Sequence, residues 1–250
     1  MNNSKIEWTD HTFNPWIGCT KVSDGCKFCY ADLMASRFGH AVWGPKGTRK
    51  TPSANYWKQP LKWNKEAVKA GTRIRVFCAS MGDVFEDATT MPASEWSKVV
   101  DARKGLFDLI DSTPELDWLI LTKRPENIVK LWPGGFRSNV WLGTSIEDRR
   151  VLDREAELSQ ARHLCPVHFL SVEPLIGPVT LDLALIDWVI VGGESGHSAR
   201  PFDPVWADAV LNQCTTANVP FFMKQLGQHG NKAYKDFTKF PTQLQLRQFP

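Results

Sequence analysis

A parallel α/β sheet, curled into a partial or complete βα barrel, is the fold class this sequence predicts, and three observations carry it. Short runs that are apolar on both faces recur along the chain, at Ile74–Cys78, Trp118–Leu121, Val140–Leu142, Val167–Leu170, Trp188–Val191 and Val219–Phe222. Strands covered on both sides read this way. Turn residues and a helical pattern follow most runs, which implies right-handed crossovers and parallel pairing. Finally, 250 residues with 42% hydrophobic content suit one domain of that architecture. We expect a single domain over 1–250, with 40–73 as a basic insertion or arm and 224–250 as a C-terminal extension.

The elements follow in order. A short leading strand around Phe13–Ile17 feeds a cysteine-rich loop, and the residues after Cys26 form a helix to about Phe38. Residues 40–73 fit the alternation poorly. Pro92 suits the opening turn of a helix whose Trp96, Val99, Val100, Arg103, Phe107 and Ile110 fall on one face. Pro125 starts a short helix, and Glu147 to about His163 reads as another. Asp203-Pro204 is an N-cap signal for a helix to about Thr216. No apolar run approaches the roughly 20 residues of a membrane span. With no leader evident, the expected compartment is the cytoplasm, where thiols stay reduced.

The formal net charge of +3 hides an asymmetry. Residues 44–75 carry nine Lys/Arg against Glu66 alone, and 224–250 carry five against Asp236, so the stretch 76–223 is strongly acidic. Tyr56, Trp57 and Trp63 lie among the first set of cations. Basic side chains interleaved with aromatics suit single-stranded nucleic acid, with phosphates neutralised and bases stacked. They equally suit a solvated segment whose tryptophans pack on the core.

Cys19, Cys26 and Cys29 stand in Gly18-Cys-Thr-Lys-Val-Ser-Asp-Gly-Cys-Lys-Phe-Cys-Tyr30. Three thiolates can hold three corners of a 4Fe–4S cube and leave one iron open to a ligand. The alternative is a zinc or closed-cluster site completed by Cys78 or His11, in a non-catalytic module that binds nucleic acid or protein. A disulfide framework fits poorly, because the cysteines crowd one loop.

Just past the apolar runs stand Ser80-Met-Gly-Asp83, Thr122-Lys123-Arg124, Thr144-Ser145-Ile-Glu147, Ser171-Val-Glu173, Gly192-Gly-Glu194-Ser195 and Lys224-Gln225. In parallel α/β folds the strand ends collect the reactive groups. Six strands delivering charged or hydroxyl side chains to one rim predict a polar pocket, suited to a zwitterionic ligand with ribose hydroxyls.

The cysteine loop, the βα alternation and this rim together resemble the radical S-adenosylmethionine (SAM) superfamily. More closely, nearly the whole chain resembles a phage-associated three-cysteine family near that superfamily. The residues in common are Asn14-Pro-Trp16 with Gly18-Cys19, Ser23 to Ala31, Gly192-Gly-Glu-Ser-Gly196 with Arg200-Pro201, Pro220 to Gln225, and Gln248-Phe-Pro250. The resemblance implies that Cys19, Cys26 and Cys29 ligate a 4Fe–4S cluster whose open iron binds SAM. It implies Phe28 near the adenine. One-electron reduction then cleaves SAM to methionine and a 5′-deoxyadenosyl radical. By the same resemblance Ser80, Asp83, Lys123, Ser145, Glu147, Glu173 and Glu194 are expected to line the cofactor site, with Asp83 as the carboxylate for the amino group and Ser145 or Glu147 at the ribose. Two departures stand: six residues, not three, separate Cys19 from Cys26, and Gly192-Gly-Glu194 follows a later strand than usual. The expected partners are single-stranded nucleic acid through 44–75, an external electron donor and a partner protein, with no membrane. The expected activity is repair or modification of a nucleic acid or nucleotide.

Overall fold

The computed structural model describes residues 4–230, 232 and 234–250. Seven parallel strands, β1 (His11–Thr12), β2 (Ile74–Cys78), β3 (Leu116–Thr122), β4 (Val140–Ser145), β5 (Val167–Val172), β6 (Trp188–Gly192) and β7 (Phe221–Gln225), pair in sequence order. The six runs read from sequence are β2 to β7, with β7 beginning two residues later than expected. The leading strand lies earlier than Phe13–Ile17, because the backbone leaves the sheet after Phe13, whose N–H still donates to the Phe77 carbonyl.

The sheet is curled into a half-barrel. Trp8, from the segment before β1, lies 4.6 Å from the Phe77 ring of β2, 6.4 Å from Phe169 of β5 and 6.3 Å from Trp188 of β6. One indole reaches strands so far apart in order only if the sheet wraps around it. With Leu119, Ile190 and Phe222 these rings form the inner core. Gln248 N–H donates to the Phe221 carbonyl, and Phe249 stacks 5.3 Å from Trp188 under the Arg75 guanidinium. The C-terminal strap thereby covers β7, an otherwise open edge.

The larger outer core lies between the other face of the sheet and helices α3 (Gln59–Ala70), α4 (Ala93–Asp111), α6 (Asp153–Ser159) and α7 (Pro204–Ala217). Asp203 caps α7 by accepting from the Val205 N–H, as its sequence position predicts. The expected helix over Glu147–His163 is shorter, preceded by a single 3₁₀ turn at Arg149–Val151. Three short helices complete the set: α1 (Tyr30–Arg37), α2 (Ala54–Trp57) and α5 (Ile128–Leu131).

Residues 40–73 are not an arm. Their second half is α3, the ordinary crossover helix from β1 to β2, with Trp63 and Ala67 buried in the outer core. Its cations mask it in sequence, because Lys58, Lys62, Lys65 and Lys69 occupy the solvent face. The three aromatics point inward. Tyr56 stacks 5.0 Å from Phe13, Trp57 meets the same ring edge-on, and Trp63 stacks on His11. Trp63 is buried, and Tyr56 and Trp57 are half-buried against the outer core. No described helix is long and apolar enough to cross a membrane.

Two buried titratable groups give stability an opposed pH dependence. Burial raises Glu155 of α6 from 4.5 to about 7, partly offset by the Asp182 N–H it accepts. Between those values the unfolded chain ionises while the fold keeps its proton, so this stability is full below pH 4.5 and is lost as pH rises to 7. Burial and the Arg162 guanidinium lower His168 from 6.5 to about 4, so its contribution is lost as pH falls through that window. We expect Glu155→Gln to remove the first effect alone. Urea unfolding at pH 5 and pH 7.5 should show the variant gaining on wild type with rising pH, by at most on the order of 3 kcal/mol. Parallel wild-type and variant curves would refute the assignment.

Candidate functional site

The three cysteines stand where the strands end because polar groups from four strand ends clamp their loop. Gly18 adopts φ +119 and bridges to Gly82, and a Cβ there would collide with the Val42 carbonyl. Glu86, fully buried, accepts the Thr20 N–H at 2.9 Å and a bidentate pair from Arg49 at 2.7 and 2.8 Å. Arg124, after β3, donates to the Thr20 carbonyl at 2.6 Å and to Cys19 Sγ at 3.6 Å, and pairs with Asp83 at 3.0 Å. Glu147, after β4, accepts from Ser23 Oγ at 2.9 Å and packs so closely on Gly25 that a Cβ there would overlap it. Arg200, held bidentately by Glu194 after β6, donates to the Asp24 carbonyl at 3.0 Å.

Cys19, Cys26 and Cys29 line one cavity of about 330 Å³, whose walls are the strand ends and whose floor includes Trp8 and Phe77. Burial pushes the Cys19 thiol up to about 12 against the pull of Arg124. Burial also raises Cys29, against backbone N–H groups at the start of α1. Such thiols stay protonated until a metal displaces the proton. Among the described residues no three His, Cys, Asp or Glu side chains crowd together as around a single ion. A cube spreads its thiolates over separate corners. The donor set, three thiols with a guanidinium against one of them, fits such a cluster.

The proposed fourth ligands lie elsewhere. Cys78 alternates away from the cavity into the outer core, and His11 stacks on Trp63; neither lines the cavity. A closed four-ligand site built on either residue does not form here.

Phe28, Ser80, Asp83, Lys123, Ser145, Glu173 and Glu194 are all on the cavity wall. Glu147 is not. It is 1% exposed and pairs with Lys123 at 2.9 Å and Arg154 at 3.0 Å, which lower its proton affinity against burial. Its expected place at a ribose is corrected to that of a clamp on the cysteine loop. Asp83 reaches the wall but is committed to the protein: it accepts from Thr122 Oγ1, the Lys123 and Phe85 N–H groups and Arg124. It positions Arg124 rather than offering a free carboxylate. Glu173 pairs with Lys224 at 2.8 Å and presses against Gly192, where a Cβ would collide. That approach explains the glycine that ends β6.

The sequence reading passed over Trp8 and Glu7 on the floor, and Tyr30, Trp43 and Lys235 on the wall. The apolar pair Ile6 and Trp8 before the first strand was the available signal.

A family model described as "Protein of unknown function (DUF5131)" matches residues 3–247. No curated protein matches the chain. Among solved structures the chain is similar to a mutant of spore photoproduct lyase, at 15% identity and a TM-score of 0.49, over 77% of this chain and 58% of that one. The chain thus spans less than two thirds of that protein's length.

Proposed function

From the premise that the chain belongs to this DUF5131 family, we propose that it is a radical-SAM-like iron–sulfur enzyme. The carrying observation is that one loop delivers three cysteines, with no fourth cysteine or histidine among the described lining residues, to a cavity at the ends of parallel strands. Cys19, Cys26 and Cys29 would hold a 4Fe–4S cluster. When bound, that cluster supplies the electron that cleaves SAM reductively to methionine and a 5′-deoxyadenosyl radical.

The chain's own residues have separate tasks. Arg124 places a positive charge 3.6 Å from Cys19 Sγ, which favours the thiolate. Phe28 offers a ring face on the cavity wall, and Ser145 and Ser171 offer hydroxyls from adjacent strands. The Glu173–Lys224 pair sets a carboxylate beside an ammonium at 2.8 Å, complementary to an amino-acid moiety. Trp8, Phe77 and Leu121 exclude water from the lower cavity.

The substrate class we favour is nucleic acid or a nucleotide, for repair or modification. Its support shifts from the core-packed aromatics of 44–75 to Lys5 and Lys235, which line the cavity and have no ion-pair partner among the described residues.

The test is anaerobic reconstitution with iron and sulfide, then dithionite and SAM, reading 5′-deoxyadenosine by mass spectrometry. We expect product from wild type and none from Cys26→Ala, with iron content falling in parallel. Zinc bound with no iron uptake would overturn the reading.

A further inference from the structure

Helix α1 buries its small residues and exposes its large ones. Ala31 and Ala35 face the protein at 2% exposure each, while Tyr30, Leu33, Met34 and Phe38 are 44, 48, 44 and 72% exposed. Positions 30, 33, 34 and 38 fall on one helical face, so these side chains make a continuous stripe. Val22 of the cysteine loop is also exposed, at 44%. A contiguous apolar patch of this kind marks an interaction surface.

Its surroundings are cationic. Across residues 20–50 both carboxylates are neutralised, Asp24 by Arg150 at 2.7 Å and Asp32 by Lys21 at 2.8 Å. Lys27, Arg37 and Lys46 have no ion-pair partner among the described residues, and Lys50 lies 3.0 Å from His40. The centre of the stripe is aliphatic, Leu33 and Met34. That suits protein side chains, for methionine and aromatics are enriched at interface cores.

The stripe begins one residue after Cys29, and the Leu33 N–H donates to the Cys29 carbonyl at 3.1 Å. Whatever covers α1 stands beside the cysteine loop. We propose that this stripe docks an acidic one-electron-donor protein, which is oxidised by one electron as the cluster is reduced by one. The proposal rests on the iron–sulfur reading above. Cationic rim and acidic partner would set the rate of encounter, and the apolar centre the lifetime of the complex.

The test uses reconstituted full-length protein and a purified acidic flavodoxin, fully reduced, against Leu33→Asp/Met34→Asp. Both positions are exposed, so the fold should hold, as thermal unfolding checks. We expect salt-sensitive flavodoxin binding by wild type, weakened about tenfold or more in the variant. Cluster reduction by flavodoxin should slow equally, while dithionite reduces both proteins at one rate. Equal flavodoxin binding and reduction in both proteins would overturn the proposal. So would the absence of salt-sensitive binding by wild type, or a wild-type dimer that the variant dissociates. Should wild type assemble no cluster, the iron–sulfur reading fails, and the binding titration alone decides whether the stripe docks an acidic protein.

Discussion

Arg49→Met is expected to destabilise the protein by about 3–5 kcal/mol and to release the cysteine loop. Arg49 and Glu86 have fully buried side chains, joined by two hydrogen bonds. Removing the guanidinium leaves the Glu86 carboxylate in a low-dielectric interior, answered among the described residues by Arg124 at 3.7 Å, the Thr20 N–H and the nearby charge of Arg103. Arg49 also donates to Thr20 Oγ1 and to the carbonyls of Val42 and Gly47, so the loop and the segment beside it loosen together. Urea unfolding should show the loss, and iron content after reconstitution should fall with it. The double variant Arg49→Met/Glu86→Leu should recover most of the stability, because no charge is then stranded. A single variant within about 1 kcal/mol of wild type would sink the argument.

Trp188→Ala is expected to cost a similar 3–5 kcal/mol, the range for deleting a large aromatic from a core. Its ring meets Trp8, Trp141, Phe169, Phe222 and Phe249 at 5.3–6.3 Å, and its N–H donates to the Gln248 carbonyl at 2.8 Å. The cavity left by the indole would loosen both the N-terminal segment under the site and the C-terminal strap. Trp188→Phe keeps the apolar fill and should lose less, so the two variants separate packing from the hydrogen bond. Equal unfolding midpoints for Trp188→Ala and wild type would refute the inner core.

Strand positions were legible because a strand buried on both faces has no polar alternation to confuse it. Trp118-Leu-Ile-Leu121 and Trp188-Val-Ile-Val191 say so directly. Helix α3 was not, since its inward face is only Pro60, Trp63 and Ala67 within a field of lysines. The charge of that segment lies largely on the exposed face of this helix, with its tryptophan turned to the core.

The site divides in the same way. Local spacing sufficed to name Cys19, Cys26 and Cys29 and the polar residues after each strand, because chain order alone carries strand ends to a common rim. Spacing carries no information on which charges meet. Glu147 and Asp83 looked like free carboxylates until the fold set Arg154, Lys123 and Arg124 against them. Nor does it show that Cys78 points outward while Phe77 and Ala79 line the cavity, a matter of one residue of register along β2. The sequence by itself determined strands β2 to β7, their parallel pairing and the three clustered thiols, since these depend on local pattern. Only the tertiary structure decided which polar groups clamp the loop, which remain open to a ligand and which apolar face of α1 is left bare, because pairing and burial are set by contacts between residues far apart in the chain.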